Sequence, residues 1–163
     1  VDLIMGTFSK SFASLGGFIA TDEVITNFLR HHSRSYIFTA SITPASTAAV
    51  NAALDIMLEE PERQQHLWDI TNYALDGFKS MGCEVGNTET PIIPLYIRDN
   101  NLTFLITTEL FNEGIFVNPV VSPAVAPNDT LIRFSLMATH TKEQVTEALE
   151  KIQKVFRSHN LIP

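Results

Sequence analysis

Apolar and polar positions follow two periods along this chain, and the changes of period mark its elements. Residues 1–5 (Val-Asp-Leu-Ile-Met) and 17–21 (Gly-Phe-Ile-Ala-Thr) are apolar runs of strand length, separated by a segment of small and hydroxyl residues. Asp22 stands as an N-cap before a helix that carries Val24, Ile25, Phe28 and Leu29 on one side. Residues 36–41 predict a further strand. Thr43 and Pro44 then supply an N-cap and a first-turn proline, and the helix that follows, to about Glu60, is apolar on every side. Such a helix is expected to be buried all round, in a core or across a subunit interface.

The second part of the chain repeats the alternation of helix and strand. Pro61 and Glu62 open a helix in which Leu67, Ile70, Ala74, Phe78 and Met81 form one stripe, with Gly82 as its stop. Residues 92–97 predict a strand, which Pro91 and Pro94 place near an edge or bulge. Asn100 or Asn101 is predicted to cap a helix ending at Gly114, with Phe104, Thr108 and Phe111 on one face. Residues 115–118 and 131–136 predict two more strands. Thr141 and Gln144 form a capping box for a last helix whose core face is Val145, Ala148, Leu149, Ile152, Val155 and Phe156. This order predicts an α/β sandwich, with a boundary near Pro61.

Composition narrows the function classes. At 163 residues the chain can bury a real core, and 45% hydrophobic against 18% charged residues is the balance of an ordinary soluble globular chain. The net charge of -7 argues against nucleic-acid binding, which needs clustered Lys and Arg. The single cysteine, Cys83, cannot form an internal disulfide, which fits a reducing, cytoplasmic setting. No apolar run approaches a membrane span, and no repeat or glycine-rich nucleotide fingerprint is present. The chain opens without Met on a core-like strand, so it is expected to be the C-terminal part of a longer protein.

Candidate chemistry centres on Lys10, held between the first two apolar runs in Gly6-Thr7-Phe8-Ser9-Lys10-Ser11-Phe12-Ala13-Ser14-Leu15-Gly16-Gly17. A lysine buried between strands is pushed toward its neutral, nucleophilic form. The hydroxyls of Thr7, Ser9, Ser11 and Ser14 and the neighbouring glycines would suit a phosphate. The residues alone also allow a lysine that snorkels to water from a tight turn. Arg133 is the second candidate: an arginine in an apolar strand is costly unless it meets an anion. Its planar fork matches a carboxylate, while a structural salt bridge is the other reading. Before it lies a loop with three prolines, residues 117–127, whose path is stiffened by them. The basic cluster Arg30-His31-His32-Ser33-Arg34 admits two readings, contact with acyl-CoA phosphates or compensation of a helix dipole. Two adjacent histidines without a third ligand make no metal site. His140, just before the last helix cap, reads as a structural loop anchor.

The block around Lys10 resembles the pyridoxal-phosphate (PLP) lysine segment of the α-oxoamine synthases, a branch of the fold-type I aminotransferase superfamily. Within that branch it is most similar to the bacterial serine palmitoyltransferases. The resemblance implies the end of the large PLP-binding domain over residues 1–60 and the small C-terminal α/β domain over 61–163. It implies that Lys10 carries the cofactor as an internal aldimine and is the catalytic base, and that Thr7 binds the cofactor phosphate. It further implies a homodimer in which Thr39, with Phe38 and Ser41 as weaker neighbours, reaches the partner's phosphate. Arg133 is implied to bind the amino-acid carboxylate. Many family members carry Arg-Pro-Pro-Ala-Thr-Pro in the proline loop; here the first position is Val121, so the carboxylate clamp is expected to lean on Arg133 alone.

The activity implied is condensation of L-serine with a long-chain acyl-CoA to 3-ketodihydrosphingosine, with loss of carbon dioxide. The alternatives are a glycine-using sister synthase, of the 2-amino-3-ketobutyrate CoA ligase or 8-amino-7-oxononanoate synthase kind, or a non-catalytic subunit. Groups that contact the cofactor ring lie upstream in the family, so these residues alone are expected to be inactive.

Overall fold

A computed structural model describes residues 1–163. The chain forms two compact units, Val1–Pro61 and Glu62–Pro163. In the first, strands β1 (Leu3–Thr7) and β2 (Gly17–Thr21) pair as an antiparallel ribbon, with Leu3 opposite Thr21 and Thr7 opposite Gly17. Helix α1 (Glu23–His32) follows at once, because the Asp22 carboxylate accepts the Ile25 N–H at 2.9 Å. The strand expected over residues 36–41 does not form. Ser33 instead caps a single helical turn, α2 (Arg34–Ile37), by accepting the Tyr36 N–H, and the Thr39 hydroxyl closes back onto the Ser35 carbonyl. These side chain–backbone bonds outweigh the β-propensity of Tyr36, Ile37 and Phe38.

Helix α3 (Pro44–Glu59) starts at Thr43, whose hydroxyl accepts the Ser46 N–H at 3.1 Å. Of the two burials expected of it, the one within a core of this chain does not occur. Only Val50 is buried, while Leu54, Ile56, Met57 and Leu58 are exposed. A two-stranded ribbon and three helices offer too little surface to cover a helix that is apolar all round.

The second unit holds nearly the whole hydrophobic core. Helix α4 (Glu62–Ser80) buries Ile70, Thr71, Ala74 and Phe78. It ends at Gly82, whose φ of +83° lets the Gly82 N–H reach the Lys79 carbonyl and the Cys83 N–H reach that of Phe78. Burial pushes the Cys83 thiol up to about 11, so it stays protonated at neutral pH. Strand β3 (Ile92–Tyr96), helix α5 (Asn100–Asn112), strand β4 (Asn118–Val120), strand β5 (Leu131–Ser135) and helix α6 (Lys142–Ser158) complete the unit. The sheet order is β3-β5-β4, antiparallel throughout, so β3 with its Pro94 is an edge strand as the prolines predict. The cap of α5 is Asp99, not Asn100 or Asn101: its carboxylate accepts the Leu102 N–H at 2.7 Å. Phe104 and Phe111 mark the exposed face of α5, opposite Thr103, Ile106 and Leu110. The strand expected at 115–118 begins only at Asn118, because the helix end at Gly114 still holds the Ile115 N–H on the Leu110 carbonyl.

Alternation along the strands decides what faces the core. Ile93 and Leu95 of β3 and Ile132 and Phe134 of β5 are buried on one face of the sheet. Phe134 meets Phe78 edge to face at 5.0 Å, a geometry that adds about 0.5–1.5 kcal/mol to the burial of the two rings. Helix α6 carries the capping box read from Thr141 and Gln144, and all six residues of its predicted core face are buried. His140 anchors the turn before it. Its ring nitrogen Nδ1 accepts the Met137 N–H, and its carbonyl pairs with the His66 ring.

Candidate functional site

The first unit builds its candidate site on the connection between β1 and β2. The Phe8 N–H donates to the Gly16 carbonyl and the Ser14 N–H to the Phe8 carbonyl, which cinches the loop at its base. At its tip the Ala13 N–H donates to the Lys10 carbonyl, with Ala13 at φ +47° and Gly16 at φ +93°. Beneath the tip, the Phe8 ring lies 5.7 Å from Phe18 and meets Phe12 edge to face at 5.5 Å. Ser14 ties the loop to the first turn of α3 by donating to the Ser46 carbonyl at 3.3 Å. The sequence gives no sign of that last contact, because its partners are 32 residues apart.

Lys10 therefore stands on a tightly bonded loop, but it is exposed, contrary to the expectation of burial between strands. The reason is the ribbon itself: both faces of β1 and β2 are open in this chain, so there is no interior for the side chain to enter. Thr7, one strand residue before the loop, pairs its hydroxyl with that of Ser9 at 3.0 Å and also reaches the Gly16 carbonyl at 3.4 Å. Thr7 lines a cavity of about 740 Å³ with Gly16, Gly17, Arg30, Ser33 and Tyr36. Met5, Phe18, Ile19 and Leu29 make much of that wall apolar, and Lys10 does not line it, so the donors that fit the phosphate of PLP are the Thr7 and Ser9 hydroxyls on the Lys10 loop itself. Thr39 is not among the residues lining that cavity, and its hydroxyl is spent on Ser35. His31 and His32 bond through Nδ1 to the carbonyls of Asn27 and Phe28, and the His32 ring stacks on Phe28 at 4.3 Å. These two rings serve the end of α1, whereas Arg30 faces the cavity.

In the second unit Arg133 is also exposed rather than buried. It alternates with Ile132 and Phe134, so it projects from the open face of the sheet, where the cost of burying a charge does not arise. Its Nε–H donates to the Ser135 hydroxyl at 3.1 Å. Arg133 lines a cavity of about 400 Å³ together with Thr88, Glu89, Thr90, Pro94 and Val120. The residues after Val120 run through a cis Ser122–Pro123 bond to a single 3-10 turn, Pro127–Asp129. Arg98 holds that turn: its guanidinium donates to the Asn128 carbonyl at 2.9 Å and pairs with Asp129 and Glu84. The guanidinium beside Glu84 in turn holds that carboxyl below the usual range.

The fold is that of the fold-type I PLP-dependent transferases. The family model for aminotransferase class I and II matches residues 1–152, and the chain belongs to that family. The serine palmitoyltransferase of Bacteroides thetaiotaomicron is 60% identical over 162 residues, which cover 99% of this chain and 41% of the relative. The 8-amino-7-oxononanoate synthase of Petrotoga mobilis is 39% identical over 158 residues, covering 97% of this chain and 40% of that protein. A solved structure of serine palmitoyltransferase with its PLP internal aldimine superposes with a TM-score of 0.90 at 30% identity, over 99% of this chain and 41% of that one. The chain thus spans about two fifths of the length of the relatives it matches. No helix is long and apolar enough to cross a membrane.

Proposed function

We propose that these residues belong to a PLP-dependent acyltransferase that condenses L-serine with palmitoyl-CoA or a similar long-chain acyl-CoA to 3-ketodihydrosphingosine. The observation that carries this reading is the placement of Lys10 on a hydrogen-bonded loop with the hydroxyls of Thr7 and Ser9 at its base. The 60% identity to a serine palmitoyltransferase favours it over the 8-amino-7-oxononanoate synthase alternative, which rests on 39% identity. In this reading residues 1–60 are part of the cofactor-binding large domain and 61–163 form the small domain. The protein works in the cytoplasm as a homodimer.

Each side chain then has a task. When bound, PLP supplies an electron sink that acidifies the Cα–H bond of an attached amino acid. Lys10 holds the cofactor covalently at rest, and its freed Nζ takes the Cα proton of L-serine. Thr7 donates its hydroxyl to the cofactor phosphate, and Thr39 does so toward the phosphate of the other subunit once its bond to Ser35 is released. Arg133 binds the serine carboxylate and so orients the bonds at Cα. The new C–C bond joins serine Cα to the thioester carbonyl carbon, the C–S bond breaks with its electron pair leaving on CoA as the thiolate, the carboxylate leaves as carbon dioxide, and the electron pair left at Cα takes up a proton. Lys10 stands open here, so the reading requires further chain or a second subunit to cover it and exclude water. The 163 residues alone are accordingly inactive.

The test uses the full-length protein. PLP is added, the visible imine band recorded, and L-serine and glycine titrated separately, with Lys10→Ala as control. A band that needs Lys10 and shifts with serine but hardly with glycine supports the proposal. A preferential response to glycine favours the sister synthase. Absence of any Lys10-dependent band refutes the catalytic role and leaves a non-catalytic subunit.

A further inference from the structure

The second unit contains two arginines beside cavities, and they are held in opposite ways. Arg98 is saturated: Glu84, Asp129 and the Asn128 carbonyl take its donors, and its guanidinium lies 4.9 Å from the centre of the Tyr96 ring. Arg133 makes no ion pair, and the bond in place is from Nε to the neutral Ser135 hydroxyl at 3.1 Å. We propose that Ser135 is a positioning residue that aims the guanidinium of Arg133 at an amino-acid carboxylate. This inference rests on the carboxylate role of Arg133 given above.

The geometry follows from the strand. Residues two apart on β5 share a face, so Arg133 and Ser135 stand side by side on the open side of the sheet while Ile132 and Phe134 fill the core. An arginine on an open surface samples many rotamers, and that freedom must be surrendered when a ligand binds. Tying Nε to a strand-borne hydroxyl removes part of that freedom beforehand and leaves the two Nη groups, the end-on fork, for a bidentate carboxylate. A hydroxyl can do this without neutralising the charge. A carboxylate in its place would take Nε together with one Nη and cancel the charge, as Glu84 does at Arg98. Glu89 is the one carboxylate that lines the cavity, and it forms no ion pair with Arg133. The Thr88 hydroxyl donates to the Ile92 carbonyl at 2.7 Å, and the Thr90 hydroxyl donates to the same oxygen at 3.5 Å.

The experiment measures L-serine binding by the spectral change of the full-length, PLP-loaded protein, with L-serinamide as a carboxylate-free control. Ser135→Ala is expected to weaken L-serine binding roughly tenfold, the size of one hydrogen bond to a charged group, and to leave serinamide binding and the melting midpoint unchanged. Ser135→Thr restores affinity, since the hydroxyl returns, and Ser135→Asp abolishes the serine response by taking Nε with one Nη and cancelling the charge. Equal L-serine affinity in Ser135→Ala and the parent, with binding lost in Arg133→Ala, overturns the inference alone. Equal weakening of serine and serinamide also overturns it, because that is a general structural effect. Retained serine affinity in Arg133→Ala overturns the underlying role of Arg133, and this inference with it.

Discussion

Gly17 faces Thr7 across the ribbon, and an added methyl group there has nowhere to go. A Cβ at Gly17 would sit 2.5 Å from the Gly6 carbonyl oxygen and 3.4 Å from the Thr7 Cα. Both are backbone atoms, so no rotamer change relieves the clash, and the strands must separate at the Thr7–Gly17 pair. Overpacking of this kind costs about 1–3 kcal/mol. The displaced residue is Thr7, whose hydroxyl is proposed above to hold the cofactor phosphate. If about 2 kcal/mol of that strain falls on the bound state, PLP affinity in Gly17→Ala drops about 30-fold. The assay is PLP titration of the full-length apoprotein, followed by the imine band. Gly77→Ala is the control. Its added Cβ would meet the tip of the flexible Leu149 side chain at 2.6 Å, so stability changes while the cofactor site does not. Parent-like PLP affinity in Gly17→Ala, together with weakened binding in Thr7→Ala, would refute the claim that ribbon register places Thr7.

Two further outcomes test the second unit. Phe78→Ala empties a fully buried site and removes the ring contact with Phe134, so urea unfolding should show a loss of about 3–5 kcal/mol. The Glu84 carboxyl, depressed by Arg98, contributes stability that is present above the ordinary carboxylate range and lost as pH falls through its lowered value. In Arg98→Ala that contribution disappears, so the fall in melting midpoint between pH 6 and the acid limb should be shallower than in the parent. An identical slope in both would sink the pairing as a source of acid sensitivity.

Local patterns in the sequence carried much of this architecture. Asp22, Thr43 and Thr141 each cap the helix expected of them, because a cap is decided by a side chain and a backbone N–H three residues away. The core face of α6 was legible for the same reason, as its spacing keeps six apolar residues on one side. The Lys10 segment carried the family resemblance through residue types within a dozen positions. Only the tertiary structure decided that Tyr36 to Ser41 turns away from strand, since no neighbouring strand is there to pair with it while Ser33 and Thr39 offer local partners. It also decided that Arg133 lies on the open face of β5 and Lys10 on an uncovered loop. Both outcomes depend on which surfaces other elements cover, and Ser14 meeting Ser46 or Arg98 meeting Asp129 depends on contacts between residues far apart in the chain. Short-range hydrogen bonding and periodicity are written in the order of residues; burial and long-range pairing arise only once the elements pack.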